Sequence, residues 1–132
     1  MSEVLKPVED DSLKATPTGC EMKLRLKWYR SLPVSCLENL KLSLDGQPVD
    51  PDRIRFEVNG HQYHLEELAD KVEEFWFVQD SATLSVGQSA KWKAGETHKI
   101  DLEFAMRAPY IPIGLGGFLT KIHKYSADQI VH

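Results

Sequence analysis

Five histidines, two cysteines and a run of carboxylates are the side chains of this 132-residue sequence with the most obvious capacity for chemistry. His61 and His64 stand three positions apart, a spacing that on a β-strand sends them to opposite faces. They could share a metal only if the hairpin were broken, so they are expected to be ordinary sheet residues, one exposed and one capping. His98, His123 and His132 have no partner at ligand spacing, and no metal site is assigned. Cys20 and Cys36 form no CxxC pair and suggest no disulfide framework. They are expected as reduced thiols, Cys20 at a strand start and Cys36 as a small core filler. Ser31, Ser35, Ser81 and Ser85 lack the G-x-S-x-G elbow of a serine nucleophile. The acids Glu66, Glu67, Asp70, Glu73 and Glu74 read as a solvated turn. A glycosidase-type carboxylate pair among them stays open, because separation in space defines such a pair. Gly114-Leu-Gly-Gly is no phosphate loop, lacking both the G-x-G-x-x-G spacing and a following Lys-Ser/Thr. No residue is therefore assigned a catalytic role.

The elements that would position these groups are mostly strands. Leu24, Leu26 and Trp28 alternate with Lys23, Arg25 and Lys27, and Leu40, Leu42 and Leu44 alternate with Lys41 and Ser43. Ile54, Phe56 and Val58 alternate with Arg53, Arg55 and Glu57, and Ile100, Leu102, Phe104 and Met106 with Lys99, Asp101 and Glu103. Such period-2 patterning puts one face on a core and one in water, as in an antiparallel sheet. Asp45-Gly46 closes one strand, Asn59-Gly60 is a type I′ hairpin signal, and Lys93–Glu96 is a further turn. Glu66–Asp70 is expected to make a helical turn, with Leu65 and Leu68 covering an open end of the sheet. Phe75–Val78, apolar on both sides, predicts a central strand. The fold class is all-β: an antiparallel β-sandwich or partly open barrel-like fold of about 7–9 strands in a single domain. The division expected is a flexible leader over 1–19, the sandwich over 20–113 and a C-terminal docking segment over 114–132.

Composition bounds the partners. A net charge of −4 and a pI near 5.7 give no basic stripe for nucleic acid. No stretch reaches the ~18 apolar residues of a membrane span, and the acidic N-terminal sequence lacks the cationic start of a signal peptide. A cytoplasmic location is expected.

With strands and turns placed, the middle of the chain resembles the small β subunit of bacterial C-glycoside deglycosidases. The residues concerned are Tyr29-Arg30 with Leu32-Pro33, Asp45-Gly46 with Pro48-Val49, Ile54-Arg55-Phe56, Asn59-Gly60, Tyr63 and Leu65. Glu74-Phe75-Trp76, Gly95-Glu96 and Tyr110-Ile111-Pro112 continue the likeness, which spans roughly residues 20 to 113. The resemblance implies a two-subunit carbon–carbon lyase. Its α subunit, a sugar-isomerase-like TIM barrel, would hold Mn²⁺ or another divalent metal together with the acid/base residues. The substrate would be a 3-oxo-C-glycoside, and this chain would contribute no cofactor of its own. A stand-alone carbohydrate-binding sandwich is the alternative, with Trp28, Trp76 or Trp92 as a sugar platform and Trp92, between two lysines, the most exposed. A purely structural or regulatory partner of another barrel is a third possibility.

One segment fits the sheet pattern poorly. Residues 108–119 are apolar but interrupted by Pro109, Pro112 and three glycines. They could be a tucked-in core loop. Read as a docking element, they would offer Tyr110, Ile111, Pro112, Ile113 and Phe118 to the partner subunit and the substrate beside it, the prolines lowering the ordering cost on binding.

Overall fold

A computed structural model describes residues 7–26, 31–87, 92–113 and 117–132; for 109–113 and 117–119 it describes the backbone alone. Eleven strands follow one another: β1 (Lys14–Thr16), β2 (Gly19–Arg25), β3 (Leu32–Pro33), β4 (Leu37–Leu44), β5 (Gln47–Pro48), β6 (Ile54–Val58), β7 (His61–His64), β8 (Phe75–Trp76), β9 (Ser81–Val86), β10 (Thr97–Ile113) and β11 (Gly117–Ile130). They make a five-stranded sheet in the order β1-β2-β9-β6-β7, a four-stranded sheet β11-β10-β4-β5 and a two-stranded ribbon β3-β8, all antiparallel. The fold is an all-β sandwich. Its count exceeds the 7–9 strands expected because β3, β5 and β8 are two residues long, too short to show a period.

The alternating strands behave as their patterns dictate. Met22, Leu24 and Leu26 point into the core, as do Leu42 and Leu44, Ile54, Phe56 and Val58, and Ile100, Leu102, Phe104 and Met106. Leu40 falls out of step and is only half-buried, because Asn39 adopts φ 55° and a bulge shifts the β4–β10 register between Glu103 and Ala105. Asp45-Gly46 and Asn59-Gly60 both take left-handed φ at their two central positions (52° and 79°, 54° and 79°), the geometry a type I′ turn requires.

The ribbon closes one end of the sandwich. Trp76 lies fully buried, edge-on to Phe56 of the five-stranded sheet at 5.4 Å and tilted against Phe104 of the four-stranded sheet at 6.1 Å. Its indole N–H donates to Asp80 O at 3.2 Å, which settles the one polar atom of the ring. Leu32, Val34, Cys36 and Leu68 fill the space around it. Leu68 and the half-buried Leu65 come from the 3₁₀ turn Leu65–Asp70, which covers this end as its sequence predicted. Phe75–Val78 is not the central strand its apolar run suggested. Only Phe75 and Trp76 are in a strand, and Trp76 alone of the four is buried, whereas Phe75 and Phe77 face outward.

Both terminal segments are built into the sandwich. Residues 7–16, read as part of a leader, bury Val8 and Leu13, and Arg25 N–H donates to Pro7 O at 2.7 Å. Residues 117–130, read as a docking segment, form β11, a full partner of β10. The alternation of β11 is inverted: His123 and Gln129 are buried, while Ile122 and Ile130 face out. Gln129 is satisfied inside, its amide donating to Tyr125 Oη at 2.8 Å and its carbonyl accepting from Leu13 N–H at 3.1 Å. Beyond Met106, which pairs with Leu37 at the start of β4, β10 runs seven residues further. Backbone pairing with β11 persists to Ile113–Gly117, so this hairpin overhangs the ribbon end by roughly 20 Å.

Candidate partner-facing site

The Asn59-Gly60 turn sets up a polar cluster at the ribbon end. Alternation along β7 places His61 and Tyr63 on one face, their rings 6.3 Å apart. Glu74, just before β8, meets both: Tyr63 Oη donates to Glu74 Oε1 at 2.7 Å, and His61 Nδ1 lies 2.5 Å from the same oxygen. The Asn59 amide donates to Glu74 Oε2 at 3.0 Å and to Phe75 O at 2.7 Å, which ties the turn to the ribbon. Hydrogen bonds from Tyr63, His61 and Asn59 hold the Glu74 carboxyl down at about 2, against a smaller opposing effect of desolvation. The same hydrogen bond pushes the Tyr63 phenol up, because it holds the proton that Tyr63 donates; desolvation and then the charge of Glu74 add to it. Glu74 is therefore a fixed carboxylate at neutral pH, suited to accept hydrogen bonds or a cation and unsuited to donate a proton.

Around this cluster the surface is apolar and acidic. Phe75 and Phe77, 39% and 46% exposed, stack with centroids 6.4 Å apart, and Val72 is 63% exposed. An open depression of about 350 Å³ runs along Asp70, Lys71, Val72, Glu73 and Glu74. Lys71 Nζ sits 5.2 Å from the centroid of the Tyr63 ring. Among the described residues, no cation pairs with Glu66, Asp70 or Glu73.

The other residues singled out by sequence do different things. His64 is the N-cap of the 3₁₀ turn, its backbone N–H donating to the Glu67 carboxylate at 2.8 Å. His98 is held by Asp45 at 2.6 Å and Glu96 at 3.3 Å and pins the Asp45-Gly46 turn. His123 is buried and stacked on Phe104 at 4.8 Å. His132 Nε2 lies 3.8 Å from Asp11. The carboxylates of 66–74 do not converge on one point: Glu67 caps a turn while Glu74 joins His61 and Tyr63. Cys20 is buried and its thiol pushed up to about 11, chiefly by desolvation; Cys36, likewise buried, is raised by the same cause, which the Arg107 charge opposes. Both are inert core thiols. Trp92, expected to be exposed, is half-buried and stacked on His98 at 3.7 Å and 5°, so that one ring face is already occupied. Trp76 is core, and Trp28 lies outside the described residues. The side chains of Tyr110, Ile111, Pro112, Ile113 and Phe118 also lie outside them, although their backbone belongs to the overhanging hairpin.

Sequence reasoning missed the grouping of Asn59, His61, Tyr63 and Glu74. The signal was partial: Asn59-Gly60 and period 2 put His61 and Tyr63 together, but nothing in the order of residues brings Glu74 beside them. Among the described residues no group of three or more His, Cys, Asp or Glu is placed to hold a metal ion, and no helix is long and apolar enough to cross a membrane.

The described residues thus form a small β-sandwich with buried thiols, a fixed surface carboxylate and two outward phenylalanines. The model of the C-glycoside deglycosidase beta subunit family matches residues 4–110, and the chain belongs to that family. It is 37% identical over 106 residues to the 3'-dehydrocarminate deglycosidase beta subunit of a Microbacterium species, covering 80% of this chain and 79% of the relative. The C-glycoside deglycosidase beta subunit of Microbacterium trichothecenolyticum is 32% identical, with the same coverage. That of Arthrobacter globiformis is 33% identical over 104 residues, 79% of each chain.

Proposed function

We propose that this chain is the non-catalytic small subunit of a heteromeric carbon–carbon lyase that cleaves the sugar–aglycone bond of 3-oxo-C-glycosides. The observation that carries the reading is its membership, over most of its length, of a family described as deglycosidase β subunits. A sugar–aryl C–C bond offers no leaving group that a carboxylate pair could expel. A ketone at C3 acidifies the C2 proton, so a general base can remove it; the C1–aryl bond then breaks and the phenol-stabilised aglycone carbanion takes up a proton. A divalent metal such as Mn²⁺, held with the base by a TIM-barrel α subunit, would stabilise negative charge on the C3 oxygen. The described residues of this chain include no group of His, Cys, Asp or Glu that fits such a metal. What they do supports the accessory role: the thiols are buried with raised pKa, and Glu74 is locked as an anion. As an apolar run stiffened by prolines, Tyr110, Ile111, Pro112, Ile113 and Phe118 belong to the surface that meets the α subunit and borders the substrate.

The test is co-expression with the large subunit encoded by the same organism. A stable heteromer that cleaves a 3-oxo-C-glycoside, with neither subunit active alone, is expected. Cleavage by this chain unaided, or failure of the two subunits to associate, overturns the proposal.

A further inference from the structure

Three of the five large hydrophobic residues exposed among the described ones fall within six positions, at Val72, Phe75 and Phe77; the other two, Ile122 and Ile130, are isolated on β11. We infer that the Val72–Phe75–Phe77 surface, with the Glu74 cluster at its edge, is a docking face for the large subunit, and that the large subunit meets it with an apolar patch rimmed by Lys or Arg. The inference rests on the heteromeric reading above.

Two features argue for it. The first is preorganisation. The segment that presents the two rings has only a two-residue strand to hold it, yet its backbone is fixed from every side. Val34 N–H donates to Glu74 O at 2.8 Å, the Asn59 amide to Phe75 O at 2.7 Å, and Asp80 N–H to Phe77 O at 3.0 Å. Val78 N–H is taken by Ser31 Oγ at 3.1 Å, and the buried Trp76 anchors the middle. Alternation around that anchor turns Phe75 and Phe77 outward together, at a stacking distance. Rigid aromatic side chains that lose little freedom on contact are the usual anchors of an interface.

The second is charge. Residues 66–80 contain six acids and one lysine, more than the whole net charge of −4 of the chain. These carboxylates flank the two phenylalanines in sequence, and Asp70, Glu73 and Glu74 line an open depression in which an incoming cation could settle. A basic rim on the partner is the complement. An acidic partner or a second copy of this face would bring like charges together.

The overhanging β10–β11 hairpin projects from this same end of the sandwich. Pro33, which pairs with Phe75, is three residues from the Val34–Cys36 turn's exit at Cys36, and Leu37 after it pairs with Met106, where the overhang begins.

The experiment titrates the tagged chain with the purified large subunit of the same organism, by calorimetry or surface plasmon resonance, at two salt concentrations. The double variant Phe75→Ser/Phe77→Ser is expected to weaken association on the order of 100-fold, as loss of two central aromatic anchors does, with the melting temperature of the free chain little changed. Asp70→Lys/Glu73→Lys is expected to weaken it further at low salt than at high salt. Ile122→Ser/Ile130→Ser serves as the control and is expected to bind as the unaltered chain does. Unaltered affinity of the phenylalanine variant overturns the docking face and leaves the heteromeric reading standing. Loss of binding in the isoleucine variant, with the phenylalanine variant binding as the unaltered chain does, also overturns it and moves the apolar contact to the outer face of the four-stranded sheet. Failure of the unaltered chain to bind removes both. A free chain that sediments as a dimer, and becomes a monomer in the phenylalanine variant, would show that a second copy occupies the face and overturns the inference.

Discussion

The outer face of the four-stranded sheet and the ribbon end of the sandwich handle exposure in opposite ways. On the sheet, groups of opposite sign or complementary polarity face each other across neighbouring strands. Lys124 pairs with Glu103 at 3.2 Å, Ser126 Oγ donates to Asp101 at 2.5 Å, and Arg107 reaches Glu38 at 3.2 Å. This is the cross-strand pairing by which a solvated sheet face satisfies itself. At the ribbon end the carboxylates outnumber the cations, two phenylalanines face out, and the polar bonds are spent on fixing the backbone beneath them. The first surface meets its polar groups within the chain and carries only two exposed large apolar residues, the separated Ile122 and Ile130, among those described. The second is rigid and incomplete, the combination that favours association because little remains to be ordered when contact is made.

Within the ribbon the contrast can be tested over two adjacent residues. Trp76→Ala removes a ring that touches both sheets and is expected to destabilise the chain by about 4 kcal/mol. Phe75→Ser or Phe77→Ser should each cost less than about 1 kcal/mol, since a half-exposed ring loses little packing on truncation. Urea denaturation followed by tryptophan fluorescence or circular dichroism measures both. If the outward phenylalanines cost as much as Trp76, they are core residues and the distinction between the two sides of the ribbon fails.

The parts of the fold that alternate simply were legible in the sequence, and so were the turns at Asp45-Gly46 and Asn59-Gly60 and the 3₁₀ lid that carries Leu65 and Leu68. The ribbon was not. A continuous apolar run such as Phe75–Val78 looks the same whether both its sides are buried in one chain or one side awaits another, because a single sequence holds only one of the two surfaces. β11 was hidden for a different reason. Its inward positions include His123, stacked on Phe104, and Gln129, hydrogen-bonded through both ends of its amide, so hydrophobicity points the wrong way along the strand. The residues before β2 were hidden because Val8 and Leu13 are single apolar anchors among acids and make no period. As for the site, the hairpin turn predicted the shared face of His61 and Tyr63, while Glu74 arrives through a contact eleven residues distant from Tyr63 that only the tertiary fold creates.

The Glu74 cluster gives the comparison a pH signature. A carboxyl held at about 2 in the folded chain, against an ordinary value of 4.5, contributes stability that is fully present above pH 4.5 and is lost as pH falls from there towards 2. Glu74→Gln should therefore lower the melting temperature by about 3 °C at pH 7. The gap from the unaltered chain should narrow below pH 4.5 and close near pH 2. A gap that is constant across this range would mean that Glu74 acts through shape, with no benefit from its charge.

The smallest effect belongs to the sheet face. Lys124→Ala or Glu103→Ala removes one partner of an exposed pair whose Coulomb attraction is largely spent on restraining two flexible side chains and is screened by salt. Each should change stability by less than about 0.5 kcal/mol, and the double variant should equal the sum of the singles within error. That near-zero coupling is what a surface satisfied by many weak, replaceable pairs must show. At the ribbon end, by contrast, three donors share one carboxylate, so Tyr63→Phe combined with Glu74→Gln should cost less than the sum of the two separate changes, because the second removes a partner already lost. Coupling on the sheet and additivity at the ribbon would invert the comparison and move the preorganised surface to the other side of the molecule.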